Sequence, residues 1–107
     1  MRRGDLVTVA RQGAYGKPRP ALVIRSDLFA DHPSVTLLPV TSELRATPLF
    51  RIRVDPSPEN GLSVPSQVMV DKMQSVPREK IGPVFGRLGA ESLLAVNRAL
   101  AVFLGFA

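Results

Sequence analysis

Three polar positions carry the chemistry that this chain could perform. Arg19 stands between Pro18 and Pro20, directly ahead of the apolar run Ala21-Leu22-Val23-Ile24. Each proline restricts the backbone beside it, so the guanidinium is presented stiffly at a strand entrance, where a preorganised cation can stabilise growing negative charge. The same arginine could instead form a structural ion pair, with Asp5 as an example of a partner. Thr41 and Ser42 follow Pro39-Val40 at the end of another apolar run. Their adjacent hydroxyls could hold a phosphate oxygen or simply shape a turn. Asp71 closes Val68-Met69-Val70 ahead of Lys72. Its carboxylate could accept a proton, position Arg19, or stand solvated at a strand end.

What is missing narrows the chemistry further. The chain has no cysteine and one histidine, His32. Thiol catalysis and a thiolate metal site are excluded, and neither a two-histidine acid/base pair nor a histidine-based metal site can be built within one chain. There is no P-loop, no GxGxxG and no nucleophile elbow. His32, in Asp31-His32-Pro33, is expected to be an ordinary exposed loop residue.

The formal net charge is +5, and its distribution is uneven. Residues 1–53 hold nine Lys/Arg against four Asp/Glu, whereas residues 54–107 hold five against five. Eleven of the fourteen basic residues are arginine, whose planar fork suits phosphate and carboxylate better than a lysine point charge does. Nucleic acid or an acidic protein is the natural partner, although basic residues also serve simply to keep a small domain soluble. Met1-Arg2-Arg3-Gly4-Asp5 leads into polar residues rather than a signal-peptide core, and no stretch approaches the ~20 apolar residues of a membrane span. A soluble cytoplasmic protein, one domain over residues 1–107, is expected.

The elements that must position these groups are short. Leu6–Ala10, Ala21–Arg25, Val35–Val40, Phe50–Val54 and Gln67–Lys72 are rich in β-branched and aliphatic residues and bounded by Gly, Pro, Ser, Asp or Asn, which predicts five strands. Phe50, Ile52 and Val54 alternate with Arg51 and Arg53, so these two arginines should face solvent or a nucleic acid. Asn60-Gly61 in the Pro56–Gly61 segment predicts a turn between strands. Val84–Leu88 adds a last short strand, and Ala90–Leu104 reads as a helix ended by Gly105. Its stripe of Leu93, Val96, Leu100, Phe103 and Leu104 should mostly pack on the sheet, with a subunit interface as a second use. Tyr15, in the loop Arg11–Lys17, could stack on a base or anchor the loop.

Arg3-Gly4-Asp5-Leu6-Val7, Gly16-Lys17-Pro18-Arg19-Pro20-Ala21-Leu22-Val23-Ile24, Pro39-Val40-Thr41-Ser42 and Gly61-Leu62-Ser63-Val64-Pro65-Ser66 leading to Asp71, in this order and spacing, resemble the MazF and PemK (Kid) family of toxin endoribonucleases. The resemblance implies a mainly β fold, an SH3-like β-barrel with a C-terminal α-helix, and a homodimer. It also implies an antitoxin, similar to MazE, whose disordered acidic segment covers the RNA groove. It implies cleavage of single-stranded RNA without a metal or other cofactor: the ribose 2′-hydroxyl attacks the adjacent phosphorus and leaves a 2′,3′-cyclic phosphate and a 5′-hydroxyl. By family position Arg19 looks like the arginine that stabilises the phosphorane and Thr41 like the phosphate-holding threonine. Asp71 is similar to an acid used in catalysis or base recognition. Tyr15, Lys17, Ser42, Arg51 and Arg53 are then candidate RNA contacts.

Two departures stand out. The loop Arg11–Lys17 lacks the acid or histidine that some relatives use as general base, and Met69 replaces an arginine found in some PemK-like members. The base is therefore unassigned, and an inactive RNA-binding barrel is a possible outcome. A different class is also in play. Asp71–Pro77, Ile81-Gly82 and Phe103–Phe106 look like the C-terminal half of CcdB, a gyrase poison of the same fold that needs no catalytic residues, but the chain has no tryptophan next to its terminal glycine.

Overall fold

The computed structural model describes residues 1–10 and 17–107. Among the described residues seven strands run as β1 (Asp5–Val9), β2 (Arg19–Val23), β3 (Ser34–Thr41), β4 (Arg51–Val54), β5 (Ser66–Met69), β6 (Gln74–Pro77) and β7 (Ile81–Arg87), followed by the helix α1 (Ala90–Leu104). All pairings are antiparallel, in the order β4-β5-β3-β2-β1-β7, with β6 also on β3. The sheet is barrel-like but open, since β4 and β7 are its ends. This is the β fold with a C-terminal helix that the sequence leads one to expect.

Both faces of the central strands are buried, by different means. Leu6, Leu22 and Leu38 lie opposite one another across β1, β2 and β3 and pack, with Val40 and Val68, against Val96, Ala99 and Leu100 of α1. Period-two alternation sends their neighbours to the other face. There Val7, Ala21, Val23, Val35 and Leu37 form a second cluster, closed by Val76 of β6 and flanked by Val9 and Ile81. The curl of the sheet therefore does for the second cluster what the helix does for the first.

The element boundaries correct the sequence expectation in three places. The Gln67–Lys72 strand stops at Met69, where Val70–Lys72 turn as a single 3-10 turn. Leu37 faces Gln74 while Val40 faces Val68, so a short stretch of β3 is matched by a longer one, and the excess bulges out as that turn. The strand after it, β6, went unforeseen because Gln74-Ser75-Val76-Pro77 buries Val76 alone. The last strand spans Ile81–Arg87 rather than Val84–Leu88.

The helix matches its expected span and ends on Gly105 in the left-handed region, φ 85°. Its stripe packs only in part: Leu93 through Leu100 reach the core, while Phe103 and Leu104 are exposed. The Asn60-Gly61 segment is more than a turn between strands. Asn60 caps its own turn, accepting the Ser57 and Leu62 N–H groups through Oδ1 at 3.0 and 2.9 Å. Gly61 takes the positive φ of 66°. The turn then lies against β7, where the Arg87 N–H donates to the Glu59 carbonyl at 2.8 Å. A Cβ on Gly86 would stand 2.0 Å from the Asn60 carbonyl oxygen, so only glycine permits this approach.

Candidate active site groove

Register brings the two main candidates together. Ala21 of β2 lies opposite Pro39 of β3. Two residues further out along the same ladder stand Arg19 and Thr41, on the face of the second cluster, and both line one groove of about 460 Å³. Arg19 is exposed and lies opposite Val9, at the far end of β1 from Asp5. Asp5 is engaged elsewhere: Arg87 Nη1 donates to its Oδ1 at 2.7 Å and the Arg2 N–H to its Oδ2 at 2.7 Å. The ion pair between Arg19 and Asp5 is thereby ruled out, and Arg19 has no carboxylate partner among the described residues.

Thr41 ends β3, where its Oγ1 accepts the Glu43 N–H at 3.1 Å. The hydroxyl oxygen is thus held from one side, and its own hydrogen remains available to donate into the groove. Most of the wall is apolar, and its charged groups are all basic. Lys72 and Lys80 line it with Arg19, and Gln74 and Ser75 of β6 add neutral polar groups, while no described lining residue is an acid or a histidine. A second depression of about 420 Å³ shares Arg19, Pro20 and Val40 with the first, so the guanidinium stands on the ridge between them. Lys17, Ser42, Ser63 and Ser66 line this second depression.

The other candidates are dispersed. Asp71 is half-buried in the 3-10 turn; Met69 and Lys72 on either side of it line the groove, but Asp71 does not. Its Oδ1 is buried without a hydrogen-bond partner among the described residues. Arg51 and Arg53 do alternate with the core-facing Ile52 and Val54, as expected. Neither lines the groove: Arg53 pairs with Asp55 at 3.0 Å, and Arg51 lies opposite Met69 on the sheet end. Tyr15 lies outside the described residues. His32 is exposed and its Nδ1 accepts the Ser34 N–H at 3.1 Å, an ordinary loop role. Lys72, Lys80 and Gln74 escaped sequence reasoning; the one available signal was that Arg78-Glu79-Lys80 is a short charged run between two apolar positions, Val76 and Ile81.

Among the described residues no group of three His, Cys, Asp or Glu side chains is placed to hold a metal ion. No helix among them is long and apolar enough to cross a membrane. Among the described residues, an altered acidity is found at Glu43, two residues after Thr41. The hydrogen bond and the charge of Arg45 hold its carboxyl below the usual range, against an opposing desolvation and with lesser help from the charge of Arg51.

Residues 2–104 match the family of PemK-like, MazF-like toxins of type II toxin–antitoxin systems. The chain belongs to this family. It is 48% identical over 108 residues to a probable endoribonuclease MazF of Mycolicibacterium smegmatis, covering 100% of this chain and 99% of that one. Among solved structures it is similar to the Mycobacterium tuberculosis toxin MazF-mt6, at 28% identity and TM-score 0.77, over 92% of this chain and 95% of the other. It is also similar to a MazE–MazF structure from Deinococcus radiodurans, at 27% identity and TM-score 0.81, over 98% and 96%. These relationships favour a MazF-type toxin over the CcdB-like gyrase poison.

Proposed function

We propose that this MazF-type toxin cleaves single-stranded RNA in the groove between Arg19 and Thr41, without a metal ion. The observation that carries the assignment is the pairing itself: a proline-flanked guanidinium with no carboxylate partner among the described residues, set by register beside a hydroxyl whose hydrogen is free to donate, in a groove whose charged lining residues are all cations. The 48% identical endoribonuclease supports the reaction class. In the step we infer, the ribose 2′-oxygen bonds to phosphorus and the bond from phosphorus to the 5′-oxygen breaks. The 2′-hydroxyl loses its proton and the departing 5′-oxygen gains one, giving a 2′,3′-cyclic phosphate and a 5′-hydroxyl. Arg19 faces the negative charge that grows on the non-bridging oxygens, and Thr41 donates to one of them. DNA lacks the nucleophile.

Lys72 and Lys80 attract the backbone electrostatically, and Lys17 and Ser42 extend the track past the ridge. Asp71 is assigned no part in the step, and the general base is left open. The same three cations on a largely apolar wall suit an acidic antitoxin segment that competes with RNA, in keeping with the similarity to a MazE–MazF structure. The exposed end of α1, with Val102, Phe103 and Phe106, supports a homodimer, checked by sedimentation at micromolar concentration. The cytoplasm is the compartment where this substrate and partner meet.

Incubation with a long mixed-sequence RNA in excess EDTA, followed by mapping of the ends, tests the proposal. Cleavage should persist and leave cyclic phosphate and 5′-hydroxyl ends. Loss of cutting on chelation, or 5′-phosphate products, would overturn it.

A further inference from the structure

We propose that Gln67 is a positioning residue for cleavage that acts through Thr41; this rests on the assignment of Thr41 to the scissile phosphate. A buried amide needs partners at both of its ends. Gln67 is 7% exposed, and both ends grip one residue: Oε1 accepts the Arg45 N–H at 3.0 Å, and Nε2 donates to the Arg45 carbonyl at 2.8 Å. The segment after Thr41 is therefore clamped by its main chain, whatever its side chains do.

The clamp and the threonine belong to one closed circuit. Gln67 lies directly opposite Thr41 in the β3–β5 ladder, so their side chains share a face of the sheet. From Thr41 the chain runs through Glu43, whose N–H donates to Thr41 Oγ1 at 3.1 Å, to Arg45, which Gln67 holds. The Glu43 N–H occupies one side of the hydroxyl oxygen, so the placement of this segment sets the direction in which the hydroxyl can donate. If Arg45 is released, the Glu43 amide can drift and the hydroxyl loses its fixed direction. Reaction geometry is sensitive to displacements of about 1 Å, which makes a clamp at this distance felt in the rate. The core packing of β5 does not itself call for an amide, since Val68 next to Gln67 is the residue that faces the core.

The test is single-turnover RNA cleavage by the full chain and by Gln67→Val, Thr41→Val and the double variant, with the melting temperature of each. Gln67→Val should lower kcat by about tenfold or more, with KM changed less than about twofold. In the Thr41→Val background the same substitution should change nothing further, because its route to the phosphate is already gone. Gln67→Glu keeps the volume and the bond from the Arg45 N–H, but its carboxylate has no hydrogen for the Arg45 carbonyl until it is protonated. Its rate relative to the parent should therefore rise as pH falls, and it carries the test if the valine variant does not fold. A folded Gln67→Val protein that cuts at the parental rate, losses that multiply in the double variant, or a Gln67→Glu ratio flat with pH would overturn the proposal while leaving the site assignment intact. Parental activity in Thr41→Val would instead overturn the site assignment and the role of Gln67 with it.

Discussion

The outer end of β2 and the N-terminal corner of the sheet use the same residue type in opposite ways. At the corner, arginines are engaged by the fold, although the Arg25 Nε is buried without a partner among the described residues. Arg25 is buried, its Nη2 donating to the Met1 carbonyl at 2.9 Å and its Nη1 lying 3.4 Å from Asp27. Arg87 meets Asp5 at 2.7 Å, and the Arg3 Nε donates to the Ile24 carbonyl at 2.9 Å. At the outer end, Arg19 is exposed, flanked by prolines and without a carboxylate partner among the described residues. A guanidinium already bonded to the fold contributes to stability. One that the fold holds still but leaves unneutralised is available to an anion, and the difference lies in the neighbours rather than in the residue.

Exchanging the damage between the two ends is the strongest way to break this contrast. Arg19→Ala should lower the single-turnover cleavage rate by about a hundredfold or more, in line with ~3 kcal/mol for a preorganised donor, with the melting temperature unchanged. Arg19→Lys should recover only part of the rate, since an ammonium keeps the charge without the planar fork. A stable, fully active Arg19→Ala protein would end the comparison. Asp5→Ala should do the reverse. It removes the acceptor for Arg87 and for the Arg2 N–H and should cost about 2 kcal/mol, the Arg87 contact being discounted because that side chain is 43% exposed. Calorimetry should show the melting temperature falling while the folded fraction cuts RNA at the parental rate.

Much of this was legible beforehand, for local reasons. Pro18 and Pro20 mark Arg19, the helix runs without Gly or Pro to its capping glycine, and the alternation of Phe50–Val54 places Arg51 and Arg53 outside the core. The rest depended on contacts that are distant in sequence. Asp5 finds Arg87, 82 residues away, and no local pattern chooses it over Arg19. The charge imbalance by halves pointed to the first half alone, yet Lys72 and Lys80 bring cations to the groove from the balanced half. They arrive on 3-10 turns flanking β6, a strand with too little apolar content to announce itself.

The smallest effect sharpens the contrast from the surface. The Glu43–Arg45 pair, 2.8 Å apart, is exposed on both sides, so it resembles the corner pairs in chemistry but not in burial. With the folded pKa of Glu43 below its unfolded value, the pair's contribution to stability is present above the usual carboxylate range. It is lost as pH falls through the depressed value. Arg45→Ala should raise the Glu43 pKa back toward the ordinary range in an NMR titration and leave the melting temperature unaltered. A pronounced loss of stability would mean that the pair is more than a solvated one.

The seal on β7 has a consequence for how the protein behaves when crowded. An open sheet exposes rows of unbonded main-chain groups at its margins, and any strand of matching length can stack there and start a filament. Here the Asn60-Gly61 turn is pressed against Gly86, the Arg87 N–H is already committed to Glu59, and Pro83 offers no N–H at all. That margin is therefore closed to self-templating, by two glycines and a proline rather than by charge. Strand addition at β7 is thereby blocked at any protein concentration, which leaves β4 as the other end of the sheet where a strand could still add.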